Sequence, residues 1–190
     1  MNIGFAMCGS FCTFAEVFPV MEALASTHKV TPIFSFAAQT INSRFGAAQD
    51  HLNRAAAICG QNVLCSIDQV EPIGPKKLLD ALVIAPCTGN TLAKLAHGIA
   101  DTPVTMAAKS HLRNRRPLLI AVSTNDALAG AAENIGKLLN KQNVFFVPFG
   151  QDDPENKPTS MVADFKKIPQ ALNAALEGTQ LQPLLLQDQG

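Results

Sequence analysis

The chain has no tryptophan and no tyrosine, so its eleven phenylalanines supply all of the aromatic surface. It also lacks net charge: fifteen Lys and Arg balance fifteen Asp and Glu, and charged residues are only 16% of the total. A neutral chain has no electrostatic drive toward nucleic acid or an anionic membrane, and weak mutual repulsion favours self-association into a homo-oligomer. No basic-then-apolar leader precedes Asn2, and no apolar run approaches the ~18–20 residues of a membrane span. The cysteines at 8, 12, 59, 65 and 87 form no Cys-x-x-Cys pair. Cys8 and Cys12 stand four apart with no histidine beside them, so neither a disulfide framework nor a metal site is expected. These absences describe a soluble protein of a reduced, cytoplasmic compartment.

What is present is apolar and regularly segmented. The 190 residues are 47% hydrophobic, enough to bury the core of one domain. Uninterrupted apolar runs at 2–8, 30–36, 81–85, 117–122 and 144–147 read as strands, the third stopped by Pro86. Between them, helical spacing predicts helices over 13–26 (kinked at Pro19), 49–59, 88–97, 102–114 and 127–141. Strands without polar alternation suit a parallel sheet covered on both faces. The alternation of strand and helix predicts an α/β, doubly wound, flavodoxin- or Rossmann-like sheet with right-handed crossovers. The sheet core spans about 1–150. A polar loop at 150–158, a helix near 162–176 and a Gln/Leu-rich tail complete the single domain of 1–190.

Such sheets bind ligands beyond the carboxyl ends of their strands, and three sequence stretches fall there. Gly9, Ser10, Phe11, Cys12 and Thr13 follow the first strand. A turn there aims N–H groups and hydroxyls at a helix N-terminus, a phosphate-binding geometry, although helix capping by Ser and Thr explains the same residues equally well. The second strand ends at Ser35. A dinucleotide site would place an acidic residue near this point to hold a ribose diol; a serine favours a mononucleotide ending in phosphate. The third stretch, 86–101, follows the third strand. Within it Asn90 carries both a hydrogen-bond donor and an acceptor.

Pro86, Asn90, Thr91, Ala93 and Lys94, followed by Gly98, Ile99, Ala100 and Asp101, resemble the signature of the flavin-dependent cysteine decarboxylase superfamily. That superfamily carries Pro-Ala-Ser-Ala-Asn-Thr and then Gly-Ile-Ala-Asp. Its other signature, Pro-x-Met-Asn-x-x-Met, is met at 122–128 only by Asn125, and residues 62–80 hold none of the histidine that the decarboxylating members use there. The resemblance therefore implies retained flavin binding with altered chemistry. Blocks along nearly the whole chain are similar to the family of dipicolinate synthase B subunits. They include Asn42-Ser43-Arg44-Phe45-Gly46, Ser123-Thr124-Asn125-Asp126-Ala127-Leu128, Pro148-Phe149-Gly150-Gln151-Asp152-Asp153-Pro154 and Lys157-Pro158-Thr159-Ser160-Met161-Val162-Ala163.

This resemblance implies a sporulation enzyme of the mother-cell cytoplasm. It would work with an A subunit that binds NAD or NADP, oxidising a dihydrodipicolinate-type precursor to dipicolinate. It implies FMN as cofactor, with phosphate on Gly9, Ser10, Phe11, Thr13 and Ser35, and the ring edge on Thr88, Gly89, Asn90 and Thr91. Ser123, Thr124 and Asn125 would close the site, in a trimer or a multiple of trimers, with Asn125 and Asn90 as catalytic residues. The hydride would pass to FMN or to the nicotinamide of the A subunit. Two other readings stay open: a non-catalytic subunit that positions the A subunit, and a flavin-dependent decarboxylase.

The remaining polar residues divide less sharply. Arg113, Arg115 and Arg116 form either a solvated helix end or an attractor for a dicarboxylate, and Arg44 and Lys109 are candidates of the same type. Cys87 reads as a small packing group, and His97 as a cation complementing a helix end. His28, His51 and His111 stand in polar contexts and read as solvated, while Asp152 and Asp153 read as turn formers beside Pro154.

Overall fold

Apolar runs without polar interruption are stable as strands only when both faces are covered, and such runs build this protein. The computed structural model describes residues 1–187. In chain order it contains β1 (Asn2–Met7), α1 (Phe14–Ala25), β2 (Lys29–Phe34), α2 (Phe36–Thr40), α3 (Ala48–Cys59), α4 (Ile67–Val70), β3 (Ala81–Cys87), α5 (Gly89–His97), α6 (Pro103–Leu112), β4 (Leu118–Thr124), α7 (Ala132–Leu139), β5 (Val144–Phe146), β6 (Phe149–Gly150), β7 (Met161–Ala163) and α8 (Ile168–Leu176). The first five strands pair in parallel in the order β2-β1-β3-β4-β5, the flavodoxin-like order, whose ligand-binding crevice opens where the winding reverses between β1 and β3. All seven residues of β3 are buried. One hydrophobic cluster runs from Ile3 to Leu172, with Phe5, Phe14, Phe18, Phe34, Phe146 and Phe165 as its largest fully buried side chains. Among the described residues no helix is long and apolar enough to cross a membrane.

Several local expectations are corrected. β3 is not stopped by Pro86 but runs through it. The β3–β4 register shifts between Ile84 and Cys87, so the missing N–H falls in a bulge, where proline is tolerated, and its carbonyl still accepts from the Cys8 N–H at 3.2 Å. α1 passes through Pro19, whose ring lies on the exposed side of the helix. The helix expected over 127–141 is shorter: residues 126–131 fold into turns in which Ala129 and Ala131 both donate to the Asp126 carbonyl (2.9 and 3.0 Å), and α7 begins at Ala132. The helix expected from 162 begins only at Ile168. Residues 161–163 form β7 instead, which pairs antiparallel with Ser123 and Thr124 of β4 and with β6. The tail lies along β6, with Phe149 and Leu185 bridged in parallel; its residues 188–190 fall outside those described.

Candidate functional site

Strand ends make the site. β1, β2, β3 and β4 deliver Gly9, Ser35, Thr88 and Ser123 to one end of the sheet, and two adjoining cavities open there. The larger, of about 570 Å³, is lined by Gly9, Ser10, Phe11, Cys12, Thr13, Glu16, Phe45, Thr88, Ser123, Thr124, Asn125, Asp152, Lys157 and Val162. The smaller, of about 390 Å³, is lined by Gly9, Ser35, Phe36, Ala37, Thr88, Asn90, Thr91, Lys94 and Thr102. Gly9 and Thr88 belong to both, so the cavities meet over the reversal between β1 and β3.

This grouping differs from the one expected. Asn90 and Thr91 share the smaller cavity with Ser35, whereas Ser10, Phe11 and Thr13 face the larger one with Ser123, Thr124 and Asn125. The reason is local. Ser35 and Thr88 cap α2 and α5, accepting the N–H groups of Ala38 and Thr91 at 3.2 and 3.4 Å. The earlier N–H groups of both helices have no intrahelical acceptor and remain at the smaller cavity. Its cation, Lys94, is held by both carboxylate oxygens of Asp101 at 2.7 and 2.8 Å, leaving partial rather than full positive charge to meet an anion there.

Some hydroxyls are occupied internally. Thr13 Oγ1 donates to the Ser10 carbonyl at 2.9 Å, and Thr91 Oγ1 to Cys8 Sγ at 3.3 Å. Ser10 Oγ and the buried Ser123 Oγ share a hydrogen bond of 2.7 Å, which ties the β1 loop to the end of β4. Thr124 donates to the Asp126 carboxylate. Gly89 sits under that pair: a Cβ on it would lie 2.8 Å from Asp126 Oδ1 and 2.9 Å from Thr124 Oγ1. Asn125 accepts from Thr159 Oγ1 on its carbonyl (2.7 Å) and from Ser160 Oγ on Oδ1 (3.4 Å). Its Nδ2 group is what it has left to offer the cavity.

Two of the three cysteines next to the site, Cys8 and Cys87, are buried. Burial pushes the Cys8 thiol up to about 11 despite its hydrogen bond from Thr91, and burial raises Cys87 further. Cys87 is thus a packing group, while Cys12 is exposed at the cavity mouth.

The cationic residues are dispersed. Arg44 lies over the ring of Phe45, 4.8 Å from its centroid, beside the larger cavity. Lys109 and Arg113 line a third cavity, of about 380 Å³, at the amino-terminal end of β4. Arg116 is consumed by the Lys77 and Leu79 carbonyls and by Asp80. Arg115 is exposed in the loop after α6, at a φ of 56°, and lines none of these cavities. Charge alone, read along a sequence, does not say at which end of a sheet it emerges.

Two histidines expected to be solvated are buried. His51 packs between Phe14 and Phe18. His111 is fully buried, with Nε2 3.0 Å from the Pro117 carbonyl. His97 holds the Ala93 carbonyl through Nδ1 (2.9 Å), close to Lys137. Asp153 caps the Asn156 N–H at 3.1 Å, as a turn former does. Asp152 instead lines the larger cavity and pairs with Lys157. Sequence reasoning misses Glu16, Phe45, Asp152, Lys157 and Val162 as lining residues of the larger cavity. Four of them lie in the family-like blocks at 42–46, 148–154 and 157–163, which is the signal that points to them; Glu16 has none.

The Flavoprotein family model matches residues 1–175. The B subunit of dipicolinate synthase from Bacillus subtilis is 44% identical over 98% of this chain and 94% of its own. The crystal structure of the corresponding B subunit from Bacillus halodurans superposes with a TM-score of 0.90 at 42% identity, covering 98% of this chain and 96% of that one. Burkholderia xenovorans DmrB in complex with FMN shares the fold, with a TM-score of 0.68 at 19% identity over 93% of this chain and 95% of its own.

Proposed function

This chain belongs to the Flavoprotein family, among its dipicolinate synthase B subunits, and from that premise we propose that it binds FMN and acts with a nicotinamide-binding A subunit to oxidise a dihydrodipicolinate-type precursor to dipicolinate. The observation that carries the reading is the pair of cavities joined at Gly9 and Thr88. One is lined by helix-start N–H groups and hydroxyls with its cation already neutralised. The other is roomier and lies beside it.

The residues fit a mononucleotide. The smaller cavity would take the phosphate, through the first N–H groups of α5 and the hydroxyl of Ser35, with Asn90 free to turn toward the ligand. The larger would take the ring and the substrate, as Gly9 lets the backbone approach closely and Phe11 and Phe45 supply apolar surface. Bound FMN supplies a two-electron acceptor. The chain's own part is to bind and orient. Nδ2 of Asn125 is positioned to donate to a carboxylate, and Lys157 and Arg44 are the cations nearest the larger cavity for a dianionic substrate. The homo-oligomer built from trimers that the family resemblance implies would bring a second copy to the mouth of this site.

Adding FMN to the purified chain, desalting and recording the visible spectrum tests the flavin reading. Retained flavin bands support it, and a colourless protein with no affinity on titration overturns it. With the A subunit present, Asn125→Ala is expected to abolish dipicolinate formation. Turnover undiminished in flavin-stripped protein would assign the chain a scaffolding role instead.

A further inference from the structure

The third cavity shares no residue with the other two. It touches β4 at Leu118, five residues before Ser123, which places it roughly 17 Å down the strand from the candidate flavin site at ~3.3 Å per residue. Its apolar lining includes Leu112 of α6, the buried Leu138 of α7 and, at the exposed side, Ile99 just after α5. Its rim carries Lys109, Arg113 and Lys141, and no Asp or Glu lines it. Among the described residues these three cations make no ion pair.

Helix ends offer a simpler reason for such cations, since a C-terminus carries about half a negative charge. Here that need is largely met by backbone: Ile99, Arg115 and Lys141 donate their N–H groups to the carbonyls of Lys94, Leu112 and Leu138 at 2.9, 2.9 and 3.0 Å. Three full charges then stand over partial charges that are already capped. An apolar pocket of ligand size with convergent cations and no counter-charge is built for one chemical class.

We propose that this cavity is a second ligand site that takes a ring-sized organic carboxylate, its apolar body on Ile99, Leu112 and Leu138 and its charge on Lys109, Arg113 and Lys141. The proposal does not rest on flavin binding, and either can fail without the other. The product of the proposed reaction, pyridine-2,6-dicarboxylate, is one member of the class, and unrelated aryl carboxylates are others.

The test is methyl NMR of the full-length chain titrated with benzoate and with its neutral counterpart benzamide. Benzoate is expected to shift the Ile99, Leu112 and Leu138 methyl signals. Benzamide, and benzoate with the Arg113→Gln/Lys141→Gln variant, should bind at least about tenfold more weakly, the scale of one lost charge-assisted contact. Added FMN should leave the benzoate affinity unchanged. Parallel titrations with pyridine-2,6-dicarboxylate and phthalate separate the sources: tighter binding of the former assigns the site to product, and equal binding assigns it to aryl carboxylates at large. Equal affinity for benzoate and benzamide, displacement by FMN, or no shift at these three methyls would overturn the proposal.

Discussion

His111 should make this protein's stability fall steeply with acid, and replacing it should flatten the fall. Its Nε2–H donates to the Pro117 carbonyl, so Nδ1 is the atom that must take up a proton. Nδ1 is buried without a partner, and the imidazole is fully inaccessible. Burial therefore depresses the histidine to about 4 from its usual 6.5, against a smaller opposing effect of the Pro117 hydrogen bond. The unfolded chain binds this proton more readily than the folded one. The contribution is thus fully present above the unfolded value of 6.5, declines as the pH falls below it, and is exhausted near the folded value. At 1.36 kcal/mol per unit the full span is roughly 3 kcal/mol, and roughly 2 kcal/mol is gone by about pH 5. Urea unfolding at one fixed protein concentration, at about pH 8 and about pH 5, measures the difference. His111→Gln can keep a donor for the Pro117 carbonyl and cannot titrate. Its stability should drop between the two pH values by roughly 2 kcal/mol less than that of the parent chain. His51, also depressed mainly by burial, is expected to keep some slope in the variant. Parallel profiles for the two proteins would refute the assignment of His111 as a buried neutral imidazole.

Gly89→Ala places a methyl against the Thr124–Asp126 pair; because Asp126 is exposed and can move, the stability loss should be small, about 1 kcal/mol, while FMN titration should show weakened binding. Thiol labelling of the native chain at mildly alkaline pH should modify Cys12 readily and spare Cys8 and Cys87, and added FMN should slow the Cys12 reaction. Phe34→Ala removes a fully buried ring at the end of β2 and should cost about 3–5 kcal/mol in urea unfolding.

The parallel core was legible because its cause is local: a strand covered on both faces must be apolar throughout, and 81–85 or 117–122 could hardly be anything else. β6 and β7, of two and three residues, carry no periodicity to read and exist only because the end of β4 offers a free edge. The 127–131 segment has helical composition, yet Ala129 and Ala131 both donate to the Asp126 carbonyl, and the chain turns there before α7 begins. Hydroxyls at strand ends could be named in advance from position alone. Which of them remain free could not, since Thr13 and Thr91 spend theirs on Ser10 and Cys8. His51 and His111 show the same limit: polar neighbours in sequence do not prevent a ring from turning into the core.

The pairing of β4 with β7 has a bearing on how the protein is made. Ser123 and Thr124 are held on one side by residues 161 and 162, and Asn125 is held by Thr159 and Ser160. The wall of the larger cavity is therefore finished by residues made well after the four strand ends that it joins. A nascent chain that already displays Gly9, Ser35 and Thr88 has the makings of a phosphate cradle but no place to seat a ring. Cofactor loading should wait for residues 159–163, and any truncation before residue 163 should yield a sheet that folds in part and stays colourless.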